Sequence, residues 1–250
     1  MSVKKLYFQF TERSLSPFLV GVGFVAIYLS IWFGWQDSRI PTIVAAVVGL
    51  VLLAHFNSRK MIVVYLIGML CGTGMEILSV LQGFWTYQND TLFGVPPYLF
   101  AVWGAIGLFG VSIYKFLGGS AQEAQYFSHG TTLKRGFMVF MLPALAVLCT
   151  WLFWHDGFSA LGLVSILAFA QLWHFHSRAL LVVFIISIFG GIIGDIVSVP
   201  QGIWYYADAA GAQIPLVIFP AWGMVGVFFA TLYDYCERFA FFRKKIIPRY

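Results

Sequence analysis

Two acidic residues, Glu76 and Asp195, lie well inside long apolar segments of this 250-residue chain. They are 119 positions apart, and the residues around them match at the same spacing. The shared pattern reads Gly72-x-x-x-Glu76-x-x-Ser79-x-x-Gln82-Gly83-x-Trp85-x-Tyr87 in the first copy and Gly191-x-x-x-Asp195-x-x-Ser198-x-x-Gln201-Gly202-x-Trp204-x-Tyr206 in the second. An ionisable group in such surroundings is costly and usually functional.

A carboxyl group among apolar side chains favours its neutral, protonated form. It can then donate a proton to a carbon–carbon double bond, while a second carboxylate activates water or removes a proton from the carbocation. Aromatic faces can stabilise the cation. We therefore predict that Glu76 and Asp195 are catalytic residues for acid–base chemistry on a hydrophobic substrate. The alternative, in which both acids only fix helix packing, stays open.

Candidate substrate-binding residues lie on the same helical face as each acid or follow it closely in the sequence. They are Ser79, Gln82, Trp85, Tyr87 and Trp103 in the first copy and Ser198, Gln201, Trp204, Tyr206 and Trp222 in the second. The alternative for the aromatic residues is an ordinary belt at the membrane interface.

The composition is that of an integral membrane protein, with 60% hydrophobic residues, 10% charged residues and a mean hydropathy of +0.86. Eight apolar segments have the length needed to cross a hydrocarbon core of ~30 Å. They span residues 17–36, 40–57, 61–83, 94–115, 137–155, 158–175, 179–202 and 213–234. The predicted fold class is an all-α membrane protein with eight transmembrane helices.

The repeat divides the chain into two membrane units of four helices each, residues 17–116 and 137–235. Because each unit crosses the membrane an even number of times, the repeats are predicted to be parallel, with both termini cytoplasmic. The remaining segments are a polar lead-in at 1–16, a linker at 117–136 with a short surface helix near 121–127, and a basic tail at 236–250.

The distribution of basic residues supports this orientation, since cytoplasmic loops are enriched in Lys and Arg. Of the 15 Lys and Arg residues, only Arg39 falls on the outer side. Topology thus accounts for the sequence pI of about 9.1, and no nucleic-acid partner is predicted. The predicted location is the bacterial inner membrane.

A second motif, His-Phe-x-Ser-Arg, occurs at the cytoplasmic end of the second predicted span of each copy. It contains His55 and Arg59 in the first copy and His174 and Arg178 in the second. These side chains could bind a lipid phosphate, or they could simply terminate and anchor a helix at the headgroups. Both interpretations stay open.

Several classes of chemistry lack their sequence motifs. There is no phosphate-binding loop, dinucleotide fingerprint, His-Glu-x-x-His or Gly-x-Ser-x-Gly motif. The three cysteines, Cys71, Cys149 and Cys236, have no spacing typical of metal ligands. We predict neither a metal nor a cofactor.

The run from Glu76 to Gly83-Phe84-Trp85-Thr86-Tyr87, followed by Gly94-Val95-Pro96 and Trp103, resembles integral-membrane carotenoid-biosynthesis proteins of the carotenoid hydratase type. Membrane-bound lycopene cyclases and small membrane terpene cyclases are more distantly similar. The resemblance covers about 30 residues per copy and implies protonation of an isoprenoid double bond, with Glu76 and Asp195 as the acids.

The sequence therefore predicts a membrane enzyme that hydrates, cyclises or isomerises an isoprenoid- or carotenoid-like lipid, as a lyase or isomerase. Two other functions stay open at this point. One is a small-molecule or proton-coupled transporter, and the other is a non-catalytic assembly partner of another membrane protein or of a second copy.

Overall fold

The structure is a computed structural model that describes residues 3–89, 92–119, 132–207 and 214–238. Helices account for most of these residues. The first group comprises α1 (Val3–Gly34), α2 (Arg39–Phe56), α3 (Arg59–Ile67), a π-helix (Gly68–Gly72), α4 (Thr73–Leu81), strand β1 (Trp85–Tyr87) and α5 (Tyr98–Phe116). The second comprises α6 (Thr132–Leu152), α7 (Gly157–Phe175), α8 (Arg178–Ser198), strand β2 (Trp204–Tyr206) and α9 (Ile218–Arg238).

Within the described ranges, six helical segments are long and apolar enough to cross a membrane. They are Pro17–Gly34, Arg39–Phe56, Arg59–Leu81, Tyr98–Phe116, Gly157–Phe175 and Arg178–Ser198. Gly136–Leu152 is a shorter apolar helix. The protein is therefore an integral membrane protein of the helical class, as the composition predicted.

Helix boundaries agree with the predicted segments to within a few residues, with one difference at the start. Residues 3–16, expected to form a polar lead-in, continue α1 without a break through Pro17. This part of the chain holds no glycine or proline, so nothing in its backbone chemistry stops the helix before Pro17. The surface helix predicted near 121–127 and the tail after 238 lie outside the described residues.

Helix α5 lies at the centre of the bundle. In its span Tyr98–Phe116, 61% of the residues are buried, compared with 22–33% in the other five spans. Small residues allow α5 to approach α9 closely, because a Cβ on Gly110 would lie 3.4 Å from the Gly226 carbonyl oxygen. This close contact joins the first half of the chain to the second.

Glycine ends the helix that carries each acid. Gly83 and Gly202 have positive φ angles of 77° and 75°. The Phe84 N–H donates to the Ser79 carbonyl and the Gly83 N–H donates to the Val80 carbonyl, at 3.0 and 2.9 Å. This is the Schellman arrangement, in which glycine takes the left-handed position that a Cβ would strain.

Replacing Gly83 with alanine should lower the stability of the fold, because a left-handed conformation costs a residue with a Cβ ~1–2 kcal/mol. Gly74→Ala is the matched control, since a Cβ at either position would have no neighbour within 4 Å. Gly74 lies inside the continuous helix formed by α3, the π-helix and α4, so that control should be neutral or stabilising. Unfolding in mixed detergent micelles measures both, and equal stability of the two variants would contradict the backbone argument.

Candidate functional site

A short antiparallel sheet joins the two halves of the chain just beyond the helices that carry the acids. Strand β1 pairs with β2 so that Trp85 faces Tyr206 and Tyr87 faces Trp204. Because side chains alternate along a strand, these four aromatic residues share the inner face. Their neighbour Tyr205 lies on the other face and is 49% exposed.

Three donors surround the Glu76 carboxylate. The Trp85 indole N–H and the Tyr87 hydroxyl both donate to Oε2 at 2.8 Å. The Trp103 indole N–H donates to Oε1 at 3.2 Å. Both carboxyl oxygens therefore have hydrogen-bond partners, as a buried polar group requires.

The Asp195 carboxylate has matching partners. The Tyr206 hydroxyl donates to Oδ1 at 2.7 Å, and the Trp222 indole N–H donates to Oδ2 at 3.2 Å. Tyr206 and Trp222 stand 119 positions after Tyr87 and Trp103, the residues that serve Glu76. Equivalent positions in the two sequence copies thus build equivalent hydrogen-bond pairs.

Trp103 reaches Glu76, and Trp222 reaches Asp195, because a glycine lies one helical turn before each acid. A Cβ on Gly72 would lie 2.2 Å from the Trp103 ring, and one on Gly191 would lie 2.1 Å from the Trp222 ring. The indoles therefore rest directly on the helix backbone. They also stack on each other, with ring centroids 5.6 Å apart and planes inclined by 15°.

Both acids border one central cavity of about 410 Å³. Its wall is mostly apolar and aromatic, with contributions from α1, the π-helix, α4, α5, α6, α8 and α9 and from both strands. Among the described residues of this wall there is no Lys, Arg or His. The cavity therefore presents two carboxyl groups and several aromatic faces without a counter-cation.

The two acids differ in overall exposure, although both border the cavity. Asp195 is 2% exposed, whereas Glu76 is half-buried. The helix carrying Glu76 includes the π-helix Gly68–Gly72, while α8 is a regular α-helix throughout. Single π-helical turns are frequent at functional sites, and here the turn ends one α-helical turn before Glu76.

The tyrosine donors stay protonated over the physiological range. Burial raises the pKa of the Tyr87 and Tyr206 phenols well above the usual value of 10.0. Nearby carboxylates act in the same direction because they disfavour a second negative charge. Both hydroxyls therefore remain available as donors to the acids.

Eight of the ten predicted substrate-binding residues border the cavity together with both acids. They are Ser79, Trp85, Tyr87, Trp103, Ser198, Trp204, Tyr206 and Trp222. The two glutamines do not: Gln82 is exposed and Gln201 is half-buried outside the cavity. Gln82 directly precedes Gly83 and caps the C-terminus of α4, so it belongs to the helix end of the motif and not to the cavity wall.

The His-Phe-x-Ser-Arg residues do not border the cavity. His55, Arg59 and Arg178 are exposed, and His174 is half-buried. The central residue of each motif, Asn57 or His176, adopts a left-handed conformation that ends one helix before the next begins. The motif therefore has a helix-terminating role, and phosphate binding by its side chains stays a prediction.

Sequence reasoning missed two polar contacts. The Trp151 indole N–H donates to Ser79 Oγ at 3.1 Å and ties α6 to α4. The Tyr114 hydroxyl donates to the buried Asp234 carboxylate at 2.7 Å, joining α5 to α9. Asp234 stands at the predicted end of the last span, and its sequence position alone gives no signal that distinguishes it from a surface acid.

Comparisons with protein-family models, curated proteins and solved structures find no match to this chain. The resemblance to carotenoid-biosynthesis proteins therefore stays a prediction. Within the described ranges, no group of three or more His, Cys, Asp or Glu side chains is placed to hold a metal ion.

Replacing Gly72 with alanine should expel the Trp103 indole from its place on the helix. The new methyl group would overlap the ring, and overpacking of this kind typically costs ~1–3 kcal/mol. The hydrogen bond to Glu76 and the stack on Trp222 should be lost together. Near-ultraviolet circular dichroism measures the coupled indole pair, and an unchanged spectrum relative to Gly74→Ala would contradict the proposed packing.

Proposed function

We propose that this protein is a membrane enzyme that performs acid–base chemistry on a hydrophobic, isoprenoid- or carotenoid-like alkene. The observation that carries the proposal is the placement of Glu76 and Asp195 on one apolar, aromatic cavity. Enclosed apolar cavities with a few convergent polar groups are typical ligand sites. Two acids kept inside a membrane for packing alone would not need a cavity beside them.

In the proposed reaction, Glu76 is the proton donor, since it is the less buried residue of the two acids that border the cavity. The π electrons of a C=C bond form a new C–H bond with the Glu76 proton, which leaves a carbocation on the other carbon. The glutamate becomes a carboxylate, and the three donors around it stabilise that charge.

Asp195 then acts as the base. In a hydration it accepts a proton from a water molecule whose oxygen bonds to the cationic carbon. In an isomerisation it removes a proton from the carbon next to the cation, and the C–H electrons form a new double bond. In a cyclisation, the π electrons of a second double bond first bond to the cationic carbon and close a ring, and Asp195 then removes a proton next to the new cation in the same way. The faces of the stacked Trp103 and Trp222 rings supply cation–π stabilisation while the charge exists.

Conservative amide substitutions test this assignment. Glu76→Gln and Asp195→Asn should each lower product formation by ~10²–10⁴-fold, the usual contribution of general acid–base catalysis. The fold should persist, because an amide retains one acceptor oxygen for the tryptophan and tyrosine donors. Asp37→Asn, which alters an exposed acid near the end of α1, is the matched control.

The measurement is mass spectrometry of lipids extracted from cells that express each variant, after feeding a mixture of prenyl lipids and polyenes. The wild type and Asp37→Asn should yield a hydrated or rearranged product, and the two site variants should accumulate its precursor. Equal lipid profiles in all four strains would contradict the enzyme assignment.

We further propose eight spans arranged as two parallel repeats, with both termini in the cytoplasm of a bacterial inner membrane. Contacts at the end of the bundle opposite the sheet support this arrangement. Lys60 pairs with Glu237, and the Lys60 and Lys115 ammonium groups lie 5.5 and 5.4 Å from the Tyr233 ring centre. The start of α3 and the ends of α5 and α9 therefore lie together, as the predicted cytoplasmic side requires.

Topology can be measured with alkaline phosphatase, which is active only outside the cytoplasm. Fusions after Ser38 and after Asp156 should be active, because both sites connect the first and second spans of a copy on the outer side. A fusion after Gly118, in the linker between the copies, should be inactive. Activity at Gly118 would overturn the even number of spans per copy.

A further inference from the structure

The central cavity reaches the outer surface of the bundle at one side. Among the described residues that line it, three are also exposed: Cys71, Phe140 and Ala144. Cys71 belongs to the π-helix, and the other two belong to α6. We define the gap between these three residues as the lateral portal.

Contacts at both ends limit the height of the lateral portal. At one end, Phe140 packs edge-on against Phe228 of α9, with ring centroids 5.7 Å apart. At the other end, the Trp151 hydrogen bond to Ser79 ties α6 to α4. Phe140 and Trp151 are three helical turns apart on α6, so the opening is at most ~16 Å high.

The equivalent gap between α1 and α8 is filled. Tyr28 stands there at the position equivalent to Val147 of α6, and its hydroxyl would lie 2.6 Å from a Cβ on Gly194. Gly194 itself corresponds to Met75 beside the lateral portal. Tyr28 therefore lies directly over Gly194 in the gap between α1 and α8, whereas the equivalent Val147 and Met75 line the cavity beside the lateral portal.

The lateral portal opens toward lipid, since Cys71 lies near the middle of the span Arg59–Leu81 and Ala144 lies near the middle of Gly136–Leu152. Each of the three side chains at its edge is apolar or, in the case of Cys71, only weakly polar. The paired strands β1 and β2 cover the cavity at the end nearest the acids. A ligand that enters through the lateral portal therefore comes from the hydrocarbon region.

We infer that the lateral portal admits a long isoprenoid chain from the bilayer and delivers one of its double bonds to Glu76. This inference rests on the proposed function for the choice of ligand. A cavity of about 410 Å³ is at the small end of the ~300–1,000 Å³ range of ligand sites. It encloses one reactive segment of the chain, and the remainder stays in the lateral portal.

Photochemical cross-linking tests entry directly. The protein is reconstituted in phosphatidylcholine vesicles with a neutral twenty-carbon isoprenoid alcohol that carries a diazirine at its hydrocarbon end. Irradiation should cross-link the probe to cavity residues such as Met75 and Trp103, identified by peptide mass spectrometry. Ala144→Trp should lower this labelling at least tenfold, because the indole would fill the opening.

Val25→Trp is the matched control, since Val25 is the equivalent of Ala144 on α1 and is 59% exposed outside the cavity. It should leave labelling unchanged. A second way to close the lateral portal avoids any folding defect of Ala144→Trp. A bulky maleimide is attached to Cys71 after reconstitution, in a variant whose other two cysteines are replaced (Cys149→Ser and Cys236→Ser). It should lower labelling to the same extent.

Undiminished cavity labelling in both blocked forms, or equal loss in Val25→Trp, would overturn the lateral portal. Absence of cavity labelling in the wild type would do the same. Equal labelling by a diazirine-bearing phosphatidylcholine would overturn the isoprenoid as the occupant. Glu76→Gln should keep wild-type labelling and lose product formation. If this variant retained both, the proposed chemistry would be refuted and the lateral portal would stand.

Discussion

An acidic side chain inside a membrane helix is costly, by at least ~2.5 kcal/mol at the helix centre on insertion scales, and this chain carries two acids within its apolar helices. Hydrogen-bond donors at both carboxyl oxygens lower that cost. Indole N–H and phenol O–H groups supply them here, because Trp and Tyr combine an apolar body with one polar atom. Much of the surrounding structure serves to place these donors.

Three local features place the donors around each acid. A glycine one turn before the acid lets an indole lie on the helix backbone, as Gly72 does for Trp103. A glycine after the acid ends the helix, as Gly83 does, and turns the chain into a strand. The period of that strand then directs Trp85 and Tyr87 to the same side. Together these features explain why Gly, acid, Gly, Trp and Tyr recur at fixed spacing.

The two copies share equivalent backbones and hydrogen bonds around their acids but differ in several side chains. These differences are concentrated around the cavity. Glu76 is half-buried, whereas Asp195 is almost completely buried. Tyr28 packs against Gly194 in the gap between α1 and α8, whereas its equivalent Val147 lines the cavity beside the lateral portal. A duplicated hydrogen-bond network can thus hold two carboxyl groups in place while the side chains around it give them different surroundings.

The sequence by itself determined the membrane class, most helix boundaries and the two acids, because hydropathy and repeat spacing depend only on residue order. It also indicated eight of the ten substrate-binding candidates that border the cavity. Gln82 and Gln201 lie outside the cavity, and their part in substrate binding stays a prediction. Only the tertiary structure decided the pairing of β1 with β2, the stacking of Trp103 on Trp222 and the side on which the cavity opens. Those features arise from contacts between residues far apart in the sequence, where side-chain volume and helix approach decide the outcome.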